Sequence, residues 1–259
     1  GSGYLDEISS VSTGNVHSCA LKTDGTVYCW GSGNVGERGD GTIDATRRTP
    51  VQVKGVGGEG YFSNVSLISN GHFQTCAVKT DGTLYCWGDE QELGVNPDDC
   101  GSYCTTPTQV KGVGGSGYLT DVSQISVKGT TVSNNFTCAV KTDGTVYCWG
   151  YNYYGQLGDD STTTRQYPVQ VKGVGGSGYL TNVSQISAGA SHACALKTDG
   201  TVYCWGANGS GQLGDNTTTE RHTPVQVKGA GGVDYLTNIS QISVGDHHTC
   251  ARKTIGTVF

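Results

Sequence analysis

Short apolar runs alternate with turn residues along the whole chain, and few stretches carry helical periodicity. Val, Ile, Tyr and Thr fill the runs; Gly, Asn and Asp separate them. That pattern predicts many short strands joined by tight turns. The sharpest instance is C-A-L-K-T-D-G-T-V-Y-C-W-G, Cys194 to Gly206. It recurs almost letter for letter at Cys19–Gly31, Cys76–Gly88 and Cys138–Gly150, and a fifth copy runs from Cys250 to Phe259. Asp-Gly between two apolar runs is a hairpin signal. A two-residue loop, Asp199-Gly200, would set Cys194 opposite Trp205. A three-residue loop, Thr198-Asp199-Gly200, sets Cys194 opposite Cys204 and places the glycine where a type I turn plus left-handed residue needs it. Turn chemistry and cysteine placement agree on the second register, in which the two cysteines form a close, non-hydrogen-bonded pair suited to a disulfide.

The hairpin belongs to a longer repeat. Trp30, Trp87, Trp149 and Trp205 lie 57, 62 and 56 residues apart. Each unit reads as a strand of the type Y-L-T-N-V-S-Q-I-S, the cysteine hairpin, Trp-Gly with a polar loop, an outer strand of the type T-P-V-Q-V-K, and a glycine-rich turn. Pro50, Pro107, Pro168 and Pro224 are expected at the first position of the outer strand, where proline is tolerated. Four strands per unit fit a propeller blade or another radial repeat. The fold class is therefore all-β, a β-propeller-type array of four-stranded antiparallel blades. Approximate units are 4–60, 61–117, 118–178, 179–234 and an incomplete 235–259, within one repeat domain over 1–259.

Eleven cysteines set the compartment. The hairpins predict bridges Cys19–Cys29, Cys76–Cys86, Cys138–Cys148 and Cys194–Cys204. Cys100 and Cys104 make a fifth pair, because a zinc reading of them lacks two further ligands. Cys250 is left over. This usage points to an extracellular or cell-surface protein. The net charge of −6, with no basic cluster, disfavours nucleic acid and anionic membrane as partners. No apolar run reaches the roughly 18 residues of a membrane span.

Candidate chemistry is sparse. Near-identical units supply the same groups everywhere, whereas a catalytic site needs different groups converging once, so no catalytic residue, cofactor or metal ligand is assigned. His17, His192 and His248 precede a cysteine by two, but Gln74 and Phe136 take that place elsewhere, which predicts packing at the hairpin base. Asp24, Asp81, Asp143 and Asp199 are turn residues. Asp159-Asp160 and Asp215 lack a complete calcium ligand pattern. Arg38-Gly39-Asp40 is an adhesive-looking triplet in which Arg38 replaces the leucine of the repeat. Uniqueness resides in variable loops: Glu90 to Gly94 with Cys100 and Cys104, five extra residues within Val127–Thr137, and Tyr151, Tyr153 and Tyr154 after Trp149-Gly150. The three tyrosines are a candidate partner-binding loop, with packing against a neighbouring blade as the other reading. Six N-x-S/T triplets occur, and the loop positions Asn208 and Asn216 are the better glycosylation candidates.

Trp149 to Gly158 and Trp205 to Gly214 both read W-G-x-N-x-x-G-Q-L-G, with Pro-Val after a short polar loop. These motifs resemble the regulator of chromosome condensation repeat, over the whole chain. The resemblance implies a propeller of four-stranded blades, usually seven, acting as a binding platform. The paired cysteines and acidic charge resemble an extracellular bacterial branch and not the nuclear one, so nucleotide exchange and histone binding are not carried over. The functional expectation is a non-enzymatic extracellular repeat protein, used as surface scaffold or filament and able to polymerise with copies of itself. The alternative is a binding propeller whose variable loops hold a protein or glycan. Four and a half units against seven lead to the expectation of a longer chain, or of strands supplied by neighbouring copies.

Overall fold

The structure is a computed structural model that describes residues 4–89, 92–129 and 134–259. Each repeat folds as an antiparallel meander. The first sheet is β1 (Ile8–Thr13), β2 (His17–Lys22), β3 (Val27–Gly33) and β4 (Asp44–Gln52). The second is β5 (Val65–Asn70), β6 (Gln74–Lys79), β7 (Leu84–Asp89) and β8 (Tyr103–Gln109). The third is β9 (Val122–Lys128), β10 (Phe136–Lys141), β11 (Val146–Gly150) and β12 (Arg165–Gln170). The fourth is β13 (Val183–Ala188), β14 (His192–Lys197), β15 (Val202–Gly206) and β16 (Arg221–Gln226). Among the described residues a fifth sheet has two strands, β17 (Ile239–Val244) and β18 (Thr249–Lys253).

The hairpin adopts the three-residue register. Cys194 pairs with Cys204, Ala195 with Tyr203 and Leu196 with Val202. The turn closes through Gly200 N–H to Lys197 O at 3.0 Å, with Gly200 at φ 79°. Asp199 fixes it by accepting the Thr201 N–H at 3.0 Å and the Thr201 hydroxyl at 2.5 Å. These bonds hold the Asp199 carboxyl below its ordinary pKa, and the same holds at Asp24, Asp81 and Asp143. The four hairpin bridges form with Cα atoms 4.1 Å apart, and Cys100 and Cys104 pair with theirs at 4.9 Å.

The prolines correct one expectation. The outer strands begin three residues before Pro168 and Pro224, at Arg165 and Arg221. Each proline sits in a bulge: Val169 pairs with Cys148 but the next pair is Arg165 with Gly150, leaving Gln166 to Pro168 opposite Trp149 alone. Pro50, Pro107 and Pro224 lie in matching register shifts. An outer edge strand that is locally unpaired has no use for the missing N–H.

Successive sheets are laced at three levels. Innermost, a serine hydroxyl accepts a backbone N–H from the next sheet: Ser12 from Asn70, Ser69 from Val127, Ser126 from Ala188 and Ser187 from Val244, at 2.9–3.1 Å. At the turn end, Gly25, Gly82, Gly144 and Gly200 carbonyls accept the N–H of Val65, Val122, Val183 and Ile239. At the loop end, Trp87 Nε1 donates to Glu37 O at 3.0 Å and Trp205 Nε1 to Gln156 O at 2.9 Å. Trp149 packs the same way against Gly94, and all three indoles are fully buried. Thus the tryptophan of one repeat and the G-Q-L-G of the preceding one are two halves of one joint. A Cβ on Gly39, Gly94 or Gly158 would lie 2.6–2.9 Å from the indole nitrogen, so these positions demand glycine.

Candidate partner-binding face

The loops after each Trp-Gly share a buried polar frame. Asn208 Nδ2 donates to Asp215 Oδ1 at 3.1 Å and to the carbonyls of Thr217 and Thr219, while its Oδ1 accepts the Leu213 N–H. Asn152 does the same with Asp159, Ser161, Thr163 and Leu157. The glycosylation expectation for Asn208 therefore fails: its side chain is 1% exposed and every polar atom is engaged. Asn216 is exposed at φ 65°, on the surface of the same loop. Asp215 and Asp159 are likewise committed, each to a hydroxyl, an asparagine and an arginine. Burial pushes the Asp215 carboxyl up, but bonds from Thr217, Arg221 and Asn208 outweigh it and the net shift is down.

The first repeat solves the same loop with different residues. Arg38 is fully buried, and its guanidinium fills the space beside Gly33, the position of Asn152. It donates to Ala45 O at 3.1 Å and Thr42 Oγ1 at 3.2 Å, and pairs with Asp40 and Asp44. The Arg-Gly-Asp triplet is a loop strut and is closed to an adhesion receptor.

The third repeat carries the distinctive surface. Tyr153 is 66% exposed and Tyr154 37%. Tyr151 stacks on Tyr153 at 6.4 Å and Tyr154 meets it edge-on at 5.0 Å. Tyr153 and Tyr154 are exposed on the loop, while Tyr151 is half-buried and lies near Glu92 of the preceding unit. The cluster stands on Asn135, a buried hub whose Oδ1 accepts the His72 N–H at 3.3 Å, whose carbonyl accepts the Tyr151 N–H at 2.9 Å and whose backbone N–H serves Glu92. Burial, with Asp89 nearby, raises Glu92 to about 8, so this carboxyl is largely neutral at neutral pH. Burial and the neighbouring Tyr154, Tyr153 and Glu92 also raise Tyr151. The surface is aromatic and weakly charged. Glu90 and Gln91 of the second loop, and residues 130–133 of the insertion, lie outside the described residues. The sequence places Glu92 in a variable loop and Asn135 in one of the six N-x-S/T triplets, and neither feature points to a buried role. The signal was available in Glu92, a carboxylate where two other repeats have Gln156 and Gln212.

The histidines correct the expectation of simple packing. His17 Nε2 meets Thr75 Oγ1 of the next sheet at 2.6 Å, Gln74 Nε2 donates to Thr137 Oγ1 at 3.0 Å, and His192 Nε2 meets Thr249 Oγ1 at 3.1 Å. Where Phe136 replaces the polar residue, the facing position is Ala193, and both are buried in one core cluster. Polar faces polar and apolar faces apolar at all four joints.

A family model described as the RCC1-like domain matches residues 2–259. The chain belongs to that family. It is 29% identical over 250 residues to the human E3 ubiquitin-protein ligase HERC2, covering 96% of this chain and 5% of that protein. To the Arabidopsis thaliana ultraviolet-B receptor UVR8 it is 29% identical, covering 97% of this chain and 52% of the receptor. The human WBSCR16 structure superposes with a TM-score of 0.76 at 25% identity, over 96% of this chain and 58% of that one. Prp20p of Saccharomyces cerevisiae gives 0.72 at 20% identity, over 96% and 57%. The RCC1-like chain thus spans about half or less of the curated relatives named here, and the likeness to Prp20p concerns the fold alone.

Proposed function

We propose that this RCC1-like chain is a non-enzymatic, disulfide-stapled binding propeller of an oxidising, extracellular or cell-surface setting, and that it holds a protein partner on the loop face at Tyr151, Tyr153 and Tyr154. The exposed aromatic cluster on its buried Asn135 hub carries this reading. Tyrosine gives wide contact at low entropic cost, and weak charge around it suits an interface centre. That Prp20p is described by its binding to Gsp1p and histones supports protein recognition as the use of such a fold. The five cysteine pairs support the compartment. The expected measurement is affinity capture from the extracellular fraction of the source with wild type and a Tyr151→Ala/Tyr153→Ala/Tyr154→Ala variant in parallel. A protein retained by wild type and lost by the variant, with circular dichroism unchanged, supports the site; equal retention removes it.

A scaffold role is the second reading, favoured by a surface that repeats at the glycine-rich turn of each unit. There Lys54–Tyr61, Lys111–Tyr118, Lys172–Tyr179 and Lys228–Tyr235 repeat as cation–π pairs 4.0–4.9 Å apart, beside exposed Val56, Val113 and Val174. Like surfaces at regular spacing suit stacking of copies into a filament. Concentration-dependent growth in sedimentation velocity would favour it, and a monomer at high concentration would end it.

A further inference from the structure

Residues two apart in a strand share a face, and each has a cross-strand partner beside it. In the fourth unit Tyr203 pairs with Gln226 across β15 and β16, and Lys228 bridges to Tyr235 across the glycine-rich turn. These four side chains line one open groove of about 340 Å³, together with Val174 from the turn of the third unit and the Asp215–Arg221 pair. Tyr235 is 52% exposed, and its counterpart Tyr179, which a four-stranded sheet follows, is 53% exposed, so the groove is a property of the unit. Arg221 is held by Asp215 at 2.8 Å, and those two charges cancel. Lys228 remains, with Nζ 4.0 Å from the centroid of the Tyr235 ring. The groove therefore carries a positive excess on a chain of net charge −6.

The lining chooses among ligands. Ammonium, guanidinium and amide groups make it rich in donors, while two tyrosine rings and Val174 give it apolar surface. A pyranose ring bearing a carboxylate matches both: apolar faces, acceptor oxygens at the rim and one negative charge. The third unit repeats the set. Tyr147 pairs with Gln170, Arg165 with Asp159 at 2.9 Å, and Lys172 stands 4.9 Å from the Tyr179 centroid. The second unit does not: Val95 takes the place of the aspartate, and Lys111 is paired with Asp99 at 3.8 Å. Equal sites in successive units favour a polymer that repeats its own charged ring, since the second contact then adds to the first. We propose that these grooves bind an acidic polysaccharide. Its rings lie against the tyrosines, a carboxylate pairs with Lys228 or Lys172, and hydroxyl oxygens accept from Gln226 and Arg221 or from Gln170 and Arg165. The sites share no residue with the Tyr151 loop.

The test is isothermal titration of the full chain, at low salt, with tetragalacturonate, with cellotetraose as the ring without the charge and with tetraglutamate as the charge without the ring. Tetragalacturonate is expected to bind at least about tenfold tighter than either, because one charge-assisted hydrogen bond is worth that much. Lys172→Gln/Lys228→Gln should bring it down to the cellotetraose level. Lys79→Gln/Lys111→Gln, which takes the same charge from the second unit, should leave the affinity unchanged, with circular dichroism alike in both variants. Absence of tetragalacturonate binding, equal binding of either comparison ligand, or equal loss in the two lysine variants overturns the proposal.

Discussion

His17 and His192 are held neutral inside the joints between sheets. Burial is the main cause, helped by neighbouring His72 and Arg38 for the first and by His247 and His248 for the second; it lowers them to about 3 and about 4. The unfolded chain takes up these protons near pH 6.5, before the folded one does. Their contribution is therefore complete above pH 6.5 and is lost as pH falls toward 4. At pH 5 each costs roughly 2 kcal/mol of stability. Gln74 shows that glutamine makes the same bond without titrating. The His17→Gln/His192→Gln variant should keep its pH 7 melting temperature and lose most of the decline between pH 6.5 and 4.5, read by thermal melts across that range. Glu92 has the opposite sign. Raised to about 8, it contributes fully below pH 4.5, and its contribution falls away as pH rises toward 8. Glu92→Gln restores the residue of the third and fourth repeats and should stabilise by roughly 4 kcal/mol at pH 8 and by under about 1 kcal/mol at pH 5. A melting temperature unchanged at pH 8 would show that the carboxyl is solvated.

At the scale of the element, the hairpin was legible because everything that defines it is local. Aspartate and glycine set the turn, and equal spacing from the turn puts two cysteines face to face. The joint between repeats was not legible in the same way. It couples residues 37 to 63 positions apart, such as Thr249 with Gln212 and Gln74 with Thr137, and a recurring serine says nothing of the backbone N–H it will meet in the next sheet. Asn208 was misjudged for the same reason: its triplet reads as a surface signal, but Asp215, Thr217 and Thr219 enclose it. In the first repeat the sequence shows Arg38 in the place of the leucine, but not that its guanidinium reaches back to fill the space of the asparagine side chain, which Gly33 lacks. The matched joints invite a double-mutant cycle. Phe136→Gln alone should cost 2–3 kcal/mol, as a buried amide facing Ala193 has no partner. Adding Ala193→Thr recreates the Gln74–Thr137 pair and should recover at least about 1 kcal/mol in chemical denaturation. Strict additivity would mean that the two positions do not touch.

For the whole molecule, every disulfide among the described residues lies within one sheet, with separations of 10 or 4 residues, and none joins two sheets. Cohesion between sheets rests on hydrogen bonds, buried indoles and one longer reach, the Lys128–Asp246 pair at 3.1 Å from the third sheet to the fifth. Such an array behaves as units with nearest-neighbour coupling, so opening is expected to be graded and not all-or-none. A bridge closing a loop of this length stabilises its own sheet by about 2.7 kcal/mol in the chain-entropy model. That corresponds to roughly a hundredfold in a local opening constant. Among the described residues the fifth sheet has no such bridge, and Cys250 is exposed. Hydrogen exchange should therefore show the β18 amides paired to β17 exchanging about a hundredfold faster than their β14 counterparts paired to β13. Reduction of the disulfides should bring β14 toward β18 and leave β18 where it was. If β14 keeps its protection after reduction, the indole and serine contacts hold the sheets by themselves, and the bridges contribute little beyond the state of the unfolded chain.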